Sequence, residues 1–506
     1  MKEKNFSLFI ILIIFVFIIL RFVDLGVNGM HRDELANGLD AYMLGINGTN
    51  VYGQKLPFLF NLHGIDLLEP MFKYSLIPFV FIFERSAFGV RSLSGVIAIF
   101  TILFTGMLSF EMFKNKNIAL FSSFFLAVSP WYFIYNRIGY RANLVPLFFV
   151  LSIFLLFKSF KVNKYFPLAC LFFGLTSWTY SVTRMTLPLI LITLCVIYFK
   201  EVIKINKYFL ILGCLIFLLT IIPVFNNLLQ NQNFSVRANE VTIFNNPKFI
   251  ELLFKNVYSY FSVNYLFIDG DSNNTRSAIV GVGLENPATI LLFIVFIIFL
   301  IKKKTNFKHS IFLLSWFVIG ISPGFVTEPE HSLRTIGVLP SIQIGASLAL
   351  FTIITKYNGY NFLFLKSTLV FATLFGFYFL FQYFGPNVTY ASKMFSTGLD
   401  EAVIYANKNF PKEKIVYGVS VHRPHVYQLF YGQNYSDFKV SYISQNQTNQ
   451  CNVAESFRRC YESEDYLGKG FIFIERASDL NGLDGEDHIL YLSKDRNGED
   501  LYAVIK

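Results

Sequence analysis

The stretch Ala288-Thr-Ile-Leu-Leu-Phe-Ile-Val-Phe-Ile-Ile-Phe-Leu-Ile301, followed by Lys302-Lys-Lys-Thr-Asn-Phe-Lys308 and then Ser310-Ile-Phe-Leu-Leu-Ser-Trp-Phe-Val-Ile-Gly-Ile321, decides the fold. Two uncharged apolar runs flank a short loop with four lysines. A helix of about 20 apolar residues crosses a hydrocarbon core about 30 Å thick, and lysines gather in short loops on the cytoplasmic side. The stretch therefore reads as a membrane hairpin whose turn lies inside. The pattern recurs from Phe6 to Tyr383, with lysines at Lys2 and Lys4, Lys114 and Lys116, Lys158 to Lys164, Lys200 to Lys207, and Lys356 with Lys366.

Composition agrees. Of 506 residues, 54% are hydrophobic and only 15% charged, whereas soluble domains carry about 25% charged residues. A soluble multidomain enzyme is excluded. With 31 glycines, 16 prolines and five cysteines, collagen, disorder and a disulfide scaffold are excluded too. The net charge of +10 is not a nucleic-acid signature: from Gly385 onward 13 Lys/Arg face 16 Asp/Glu, a net of −3, and the preceding part carries +13, its lysines clustered in short loops.

Spans are expected near 6–23, 91–113, 118–133, 143–160, 165–181, 185–200, 208–225, 286–301, 310–325, 335–354 and 367–384. This odd number puts the N-terminus inside, the tail outside and every lysine cluster on the cytoplasmic side. Tyr74–Phe83, short and broken by Pro78, reads as lying at or re-entering the outer interface. Arg21-Phe-Val-Asp24 lacks a small-residue cleavage site, so the first run is expected to stay as a span. The fold class is thus a polytopic α-helical membrane protein of about 11 transmembrane helices, residues 1–384, with long outer loops 24–90 and 226–285. A small extracytoplasmic α/β domain, 385–506, is expected to follow: Leu399–Asn407 has helical period, and Lys414–Val421, Gly470–Glu475 and His488–Leu492 are strand-like. The tail shows no phosphate-binding Gly loop and no nucleophile motif, which favours acceptor binding or a structural role.

The chemistry gathers on the expected outer face. Arg21, Arg32, Arg85, Arg91, Arg137, Arg141, Arg184, Arg237, Arg276 and Arg334 all fall there, while the inner loops hold lysine and no arginine. Lysine alone satisfies the topology rule, so an arginine surplus points to planar, two-pronged recognition of phosphate or carboxylate. For any single arginine, snorkelling or a local ion pair is an equal alternative. Met30-His31-Arg32-Asp33-Glu34 stands just past the first span. Adjacent carboxylates repel, so one stays protonated or both share a cation, and either state suits proton abstraction or metal binding. Taken alone, the pair equally reads as the cap of a helix beginning near Leu35. Asp66, Glu69 and Lys73 add a second acid and base set, or an ordinary ion pair.

In order along the chain, His31-x-Asp33-Glu34, Arg91-Ser-Leu-Ser-Gly95, Ser129-Pro130 with Arg137 and Arg141, Asn264-Tyr-Leu-Phe-Ile-Asp-Gly-Asp271 with Arg276 and Gly281-Val-Gly283, and Glu330-His331-Ser-Leu-Arg334 before Pro340 resemble the GT-C superfamily of lipid-carrier-dependent glycosyltransferases. That superfamily includes protein O-mannosyltransferases and the lipid A aminoarabinose transferase. Each motif is short; the resemblance lies in their order over about 380 residues. It implies Asp33 as catalytic base or metal support with Glu34 beside it, and Glu69 and Lys73 as metal or carrier-phosphate contacts. It implies His31, Arg91, Arg137, Arg141, Arg184, Arg276, His331 and Arg334 around the carrier phosphate or substrate. One departure stands out: many relatives have an acid where this chain reads Arg141-Ala-Asn143.

The implied reaction is intelligible from chemistry. A polyprenyl-phosphate sugar already has a leaving group, so transfer needs a base for the acceptor hydroxyl and cations for the departing phosphate. One base with in-line attack inverts the anomeric centre. A divalent cation, Mg²⁺ or Mn²⁺, would suit the oxygen ligands Asp33, Glu34 and Glu69. The acceptor is expected to be an envelope glycan, lipid or protein, in a cell-membrane setting with no nucleic-acid partner. The rival class is a transporter or flippase of lipid-linked sugars; such proteins place ionisable residues near the bilayer midplane, and these spans are nearly charge-free.

Other signals are bland. Tyr132, Tyr135, Tyr140 and Tyr180 read as an interfacial belt, and Asp269 with Asp271 as a turn lacking the EF-hand pattern. Sequons at Asn47, Asn233, Asn273, Asn387, Asn434 and Asn446 all fall on the expected outside. Cys170, Cys195 and Cys214 are expected in the core, and Cys451 with Cys460 as a bridge where the compartment oxidises.

Overall fold

The computed structural model describes residues 3–62, 66–230, 241–272, 274, 276–279, 281–328, 331–356, 361–392, 394–411, 414–417, 424–432, 457–459, 471–477, 489–495 and 498–505. The chain divides into two compact units: one of Met1–Val23, Leu67–Phe72 and Ser94–Phe384, the other of Asp24–Asp66, Lys73–Leu93 and Gly385–Lys506. Most of the first loop belongs to the same unit as the tail, and not to that of the helices that precede the tail.

All eleven expected apolar stretches are helical. Among the described residues, four helices are long and apolar enough to cross a membrane, Ala87–Phe113, Arg141–Ser159, Lys207–Asn226 and Phe362–Phe384, with a fifth if Ser332–Val338 and Ser341–Lys356, bent by 50°, form one span. The expected count of about 11 exceeds this because several apolar helices, such as Thr183–Ile197 and Pro287–Ile301, are short. One break has a clear cause. The span expected at 118–133 divides into Lys116–Ala127 and Pro130–Tyr135. Between them Ser129 Oγ accepts the Tyr132 N–H at 3.2 Å, and Pro130, with no N–H to satisfy, opens the new helix.

In the first unit Phe166–Thr176 packs on Leu144–Ser159 and on Lys207–Gln230, and Pro287–Ile301 packs on Ser341–Lys356. Small residues permit close approach: a Cβ at Gly320 would lie 2.6 Å from the Val338 nitrogen, and the buried Trp316 indole donates to the neighbouring Gly337 carbonyl at 2.9 Å. Helix Lys207–Gln230 leaves large apolar side chains outside, Leu219 being 70% exposed, as lipid contact requires. Cys195 and Cys214 are exposed and Cys170 half-buried, so these thiols are not the core residues expected. Tyr132 and Tyr135 are fully buried and do not belong to an interfacial belt. Glu111 pairs with Lys114 and, at 3.2 Å, with Lys161.

In the second unit helix Arg32–Asn47 opens on a capping box and closes at Gly48, whose φ of 68° suits a residue without Cβ. The tail contributes helices Leu399–Asn409 and Pro424–Tyr431 and a five-stranded sheet. Lys414–Tyr417 runs parallel to Phe457–Arg459 on one side and to Phe471–Arg476 on the other. Asp500–Ile505 pairs antiparallel with Phe471–Arg476, bringing Phe473 opposite Ile505, and Ile489–Lys494 closes that edge. The α/β expectation holds, with two strands, Phe457–Arg459 and Asp500–Ile505, that the alternation rule passed over. Cys451, Cys460, Arg237, Glu330 and the sequons at Asn233, Asn273, Asn434 and Asn446 lie outside the described residues. Asn47 closes its helix and Asn387 lies in the helix Pro386–Ser392.

Candidate active site

The acid pair of the first loop separates into two different environments. His31 caps helix Arg32–Asn47: its Nδ1 accepts the Asp33 N–H at 3.3 Å, and its own N–H donates to Glu34 Oε2 at 3.0 Å. Glu34 is fully buried, and Arg91 grips it with two prongs, Nε to Oε1 and Nη2 to Oε2, both 2.8 Å. The remaining Arg91 donors reach the carbonyls of Leu25 at 2.7 Å, Asn28 at 2.9 Å and Gly29 at 2.8 Å. Every N–H of that guanidinium is thereby engaged inside the protein. Arg91, expected to meet substrate, instead ties the first loop together. Asp33 is different: its side chain is 38% exposed, with Oδ2 3.5 Å from His31 Nδ1 and Oδ1 4.0 Å from Arg32 Nε. Of the two acids, only Asp33 presents its carboxylate to solvent.

Lys73, expected at the carrier phosphate, is buried against Asp40 at 2.5 Å and lies 4.4 Å from the Phe60 ring centroid. Asp40 also accepts the Val51 N–H at 3.2 Å. This pair closes the loop after helix Arg32–Asn47.

In the first unit Glu69 is buried and holds two guanidiniums, Arg141 Nε at 2.8 Å and Arg184 Nη2 at 2.5 Å. Arg141 also stacks over Tyr180 at 5.2 Å. The next residue back, Tyr140, takes a bond from Arg276 Nη1 at 3.2 Å, and Arg276 Nε donates to Asn274 Oδ1 at 3.3 Å. Asn274 Nδ2 in turn lies 3.0 Å from His331 Nε2. Two polar groups result, Arg141 and Arg184 on Glu69, and Tyr140, Arg276, Asn274 and His331, joined along the chain at 140 and 141. Arg137 stands apart from both, bonded to Tyr383 OH at 3.0 Å and the Leu20 carbonyl at 2.8 Å. Arg334 is half-buried, and its N–H donates to the His331 carbonyl at 3.0 Å.

Sequence reasoning took Asp271 for a turn residue, and its burial shows more. Its Oδ2 accepts Ser332 Oγ at 2.6 Å, the Ser332 N–H at 2.8 Å and Ser277 Oγ at 3.3 Å, with His331 Nδ1 3.7 Å away. Tyr135 OH donates to Ser332 Oγ at 2.7 Å. Burial pushes the Asp271 carboxyl above its usual range, and the bonds from Ser332 and Ser277 pull it part of the way back. The only signal in the sequence was the run of hydrogen-bonding side chains around it.

Glu285 is a second buried acid. Ser129 Oγ at 2.6 Å and Gln343 Nε2 at 2.8 Å donate to Oε2, and the Asn286 N–H donates to Oε1 at 2.8 Å. Burial outweighs these bonds and raises its pKa from 4.5 to about 7. A group that keeps its proton in the folded state after the unfolded chain has lost it stabilises the fold at low pH. Stability is therefore expected to fall by about 3 kcal/mol as pH rises between those two values. Thermal midpoints in detergent should show Glu285→Gln with a flatter profile than wild type in that window; parallel profiles would mean that Glu285 ionises alike in both states.

The described residues contain no group of three His, Cys, Asp or Glu side chains placed to hold a metal ion. Glu34 faces Arg91 and Glu69 faces two arginines, so a dication at either would meet guanidinium charge within a few ångströms. The expected Mg²⁺ or Mn²⁺ does not fit Glu34 or Glu69.

No family model matches the chain, and no curated protein matches it by sequence. Among solved structures, ArnT from Cupriavidus metallidurans in the apo state aligns with a TM-score of 0.59 at 12% identity, covering 98% of this chain and 97% of that one. The same protein bound to undecaprenyl phosphate aligns with a TM-score of 0.56 at 12% identity, covering 98% of both. The Archaeoglobus fulgidus oligosaccharyltransferase, tethered to an acceptor peptide, aligns at 0.48 and 12% identity over 85% of this chain and 63% of that one. The fold rests on the first pair. The chain has the fold of ArnT.

Proposed function

We propose that this protein is a membrane glycosyltransferase that moves a sugar from a polyprenyl-phosphate carrier to an envelope acceptor, on the extracytoplasmic face and with inversion. The observation that carries the reading is the pair of guanidiniums on the single carboxylate Glu69, in a chain with the fold of a protein crystallised with undecaprenyl phosphate. Two planar guanidiniums brought together on one buried carboxylate are the donor type that recognises phosphate with two prongs. Arg141 and Arg184, with Arg276 beyond Tyr140, would hold the carrier phosphate and stabilise it as it departs.

Asp33, the exposed acid of its pair, would take the acceptor hydroxyl's proton. The hydroxyl oxygen forms the new bond to the anomeric carbon from one face. The bond to the phosphate oxygen breaks on the other, its electrons leaving with the polyprenyl phosphate. Burial of Glu34 and Lys73 in ion pairs leaves them to shape the loop that carries Asp33.

Purified protein given a polyprenyl-phosphate sugar and an extract of the native envelope is expected to release polyprenyl phosphate only when the extract is present. Transfer from a nucleotide sugar with no lipid-linked donor would overturn the reading.

A further inference from the structure

The residues just before Asp33 are held from the tail, over 360 positions away in the chain. The Tyr427 hydroxyl donates to the Met30 carbonyl at 3.0 Å, and Thr397 Oγ1 accepts the Gly29 N–H at 3.1 Å. Gly29 has no room for a side chain: a Cβ there would lie 2.8 Å from Thr397 Cα and 2.9 Å from the Phe395 and Ser396 carbonyl oxygens. Phe395 also lies against Arg91, with the guanidinium 5.4 Å from its ring centroid, and Arg91 holds the Gly29 and Asn28 carbonyls. In the helix that follows, Arg32–Asn47, Gly38 meets the Phe430 ring, 2.8 Å from where its Cβ would stand. Tyr427 and Phe430 share the helix Pro424–Tyr431 and are both buried. Backbone on either side of Gly29 and Met30 is therefore clamped by tail residues, and the segment that follows at once is the N-cap His31 and Asp33.

We infer that the tail is a positioning device for the base, with Tyr427 and Thr397 as positioning residues that act through the Met30–His31 backbone on the aim of Asp33. The inference rests on the assignment of Asp33 as base. Its logic is that of pre-organisation: a carboxylate about 1 Å out of place loses much of its rate advantage while the donor site is untouched. The contacts from Tyr427 and Thr397 fall on the backbone of Met30 and Gly29, ahead of the base.

The test is kinetic, on the full chain in detergent or vesicles, with polyprenyl-phosphate sugar as donor. Tyr427→Phe, which loses only the hydroxyl, is expected to lower kcat about tenfold with KM for the donor unchanged, and Thr397→Val to lower it similarly. In an Asp33→Asn background, with no base left to aim, Tyr427→Phe should cost less than twofold. If Tyr427→Phe and Thr397→Val both keep wild-type kcat while Asp33→Asn is impaired, the clamp is refuted and the base stands. Equal losses from Tyr427→Phe in both backgrounds would make its role a general structural one and refute the clamp as well. Near-wild-type transfer by Asp33→Asn would overturn both assignments together.

Discussion

Asp33→Asn is expected to lower kcat about 10²- to 10⁴-fold, the usual contribution of a positioned general base, with little change in folding. The amide has nearly the volume of the acid but cannot accept the acceptor's proton. The neighbouring geometry makes the experiment discriminating. His31, not Asp33, supplies the helix cap, since its ring accepts the Asp33 N–H at 3.3 Å. A capping role for Asp33 would in any case be filled by Asn at a cost of a few tenths of a kcal/mol. Loss of transfer in a variant that still purifies with a wild-type thermal midpoint therefore reports chemistry. Full transfer would remove Asp33 from the mechanism.

The membrane class, the helical stretches and the tail's α/β character were readable because each depends on local pattern, apolar length or alternation. Places where the reading stopped depend on partners far along the chain. Asp33 and Glu34 look alike as a pair, and only Arg91, 57 residues on, decides that Glu34 is the buried member. Glu69 and Lys73 read as one acid and base set four residues apart. Each has its own partner instead: two arginines for Glu69, and Asp40, 33 residues before it, for Lys73. Asp271 reads as a turn residue, and its burial depends on Ser332, 61 residues on and beyond two helices. Span lengths failed for a different reason. Hydropathy records how apolar a stretch is, while Ser129-Pro130 ends one helix and starts another with apolar residues on both sides. The tail's grouping with the first loop had no local signal at all, since Tyr427 and Phe430 look like ordinary core aromatics until the segments they hold, at Met30 and Gly38, are known.

Glu34→Gln is expected to destabilise the protein by about 3–5 kcal/mol, the cost of breaking a buried ion pair by removing one partner. That is a large share of the total stability of about 5–15 kcal/mol common in folded proteins. Gln fills the same space, yet it leaves the Arg91 guanidinium buried with no counter-charge, and its amide nitrogen would face an N–H donor where Glu34 accepts from Nε and Nη2. The damage should spread along the chain: Arg91 also holds the carbonyls of Leu25, Asn28 and Gly29, so a loosened Arg91 frees the whole approach to His31 and Asp33. Arg91→Lys should be nearly as harmful, because an ammonium cannot reproduce the two-pronged contact and three carbonyl bonds at once. The measurements are the thermal midpoint in detergent and the yield of monodisperse protein, read beside those of Asp33→Asn. Adjacent acids would then fail in opposite ways, Asp33 through rate and Glu34 through folding. A Glu34→Gln protein with wild-type stability and no transfer would reverse that division and place Glu34 in the chemistry.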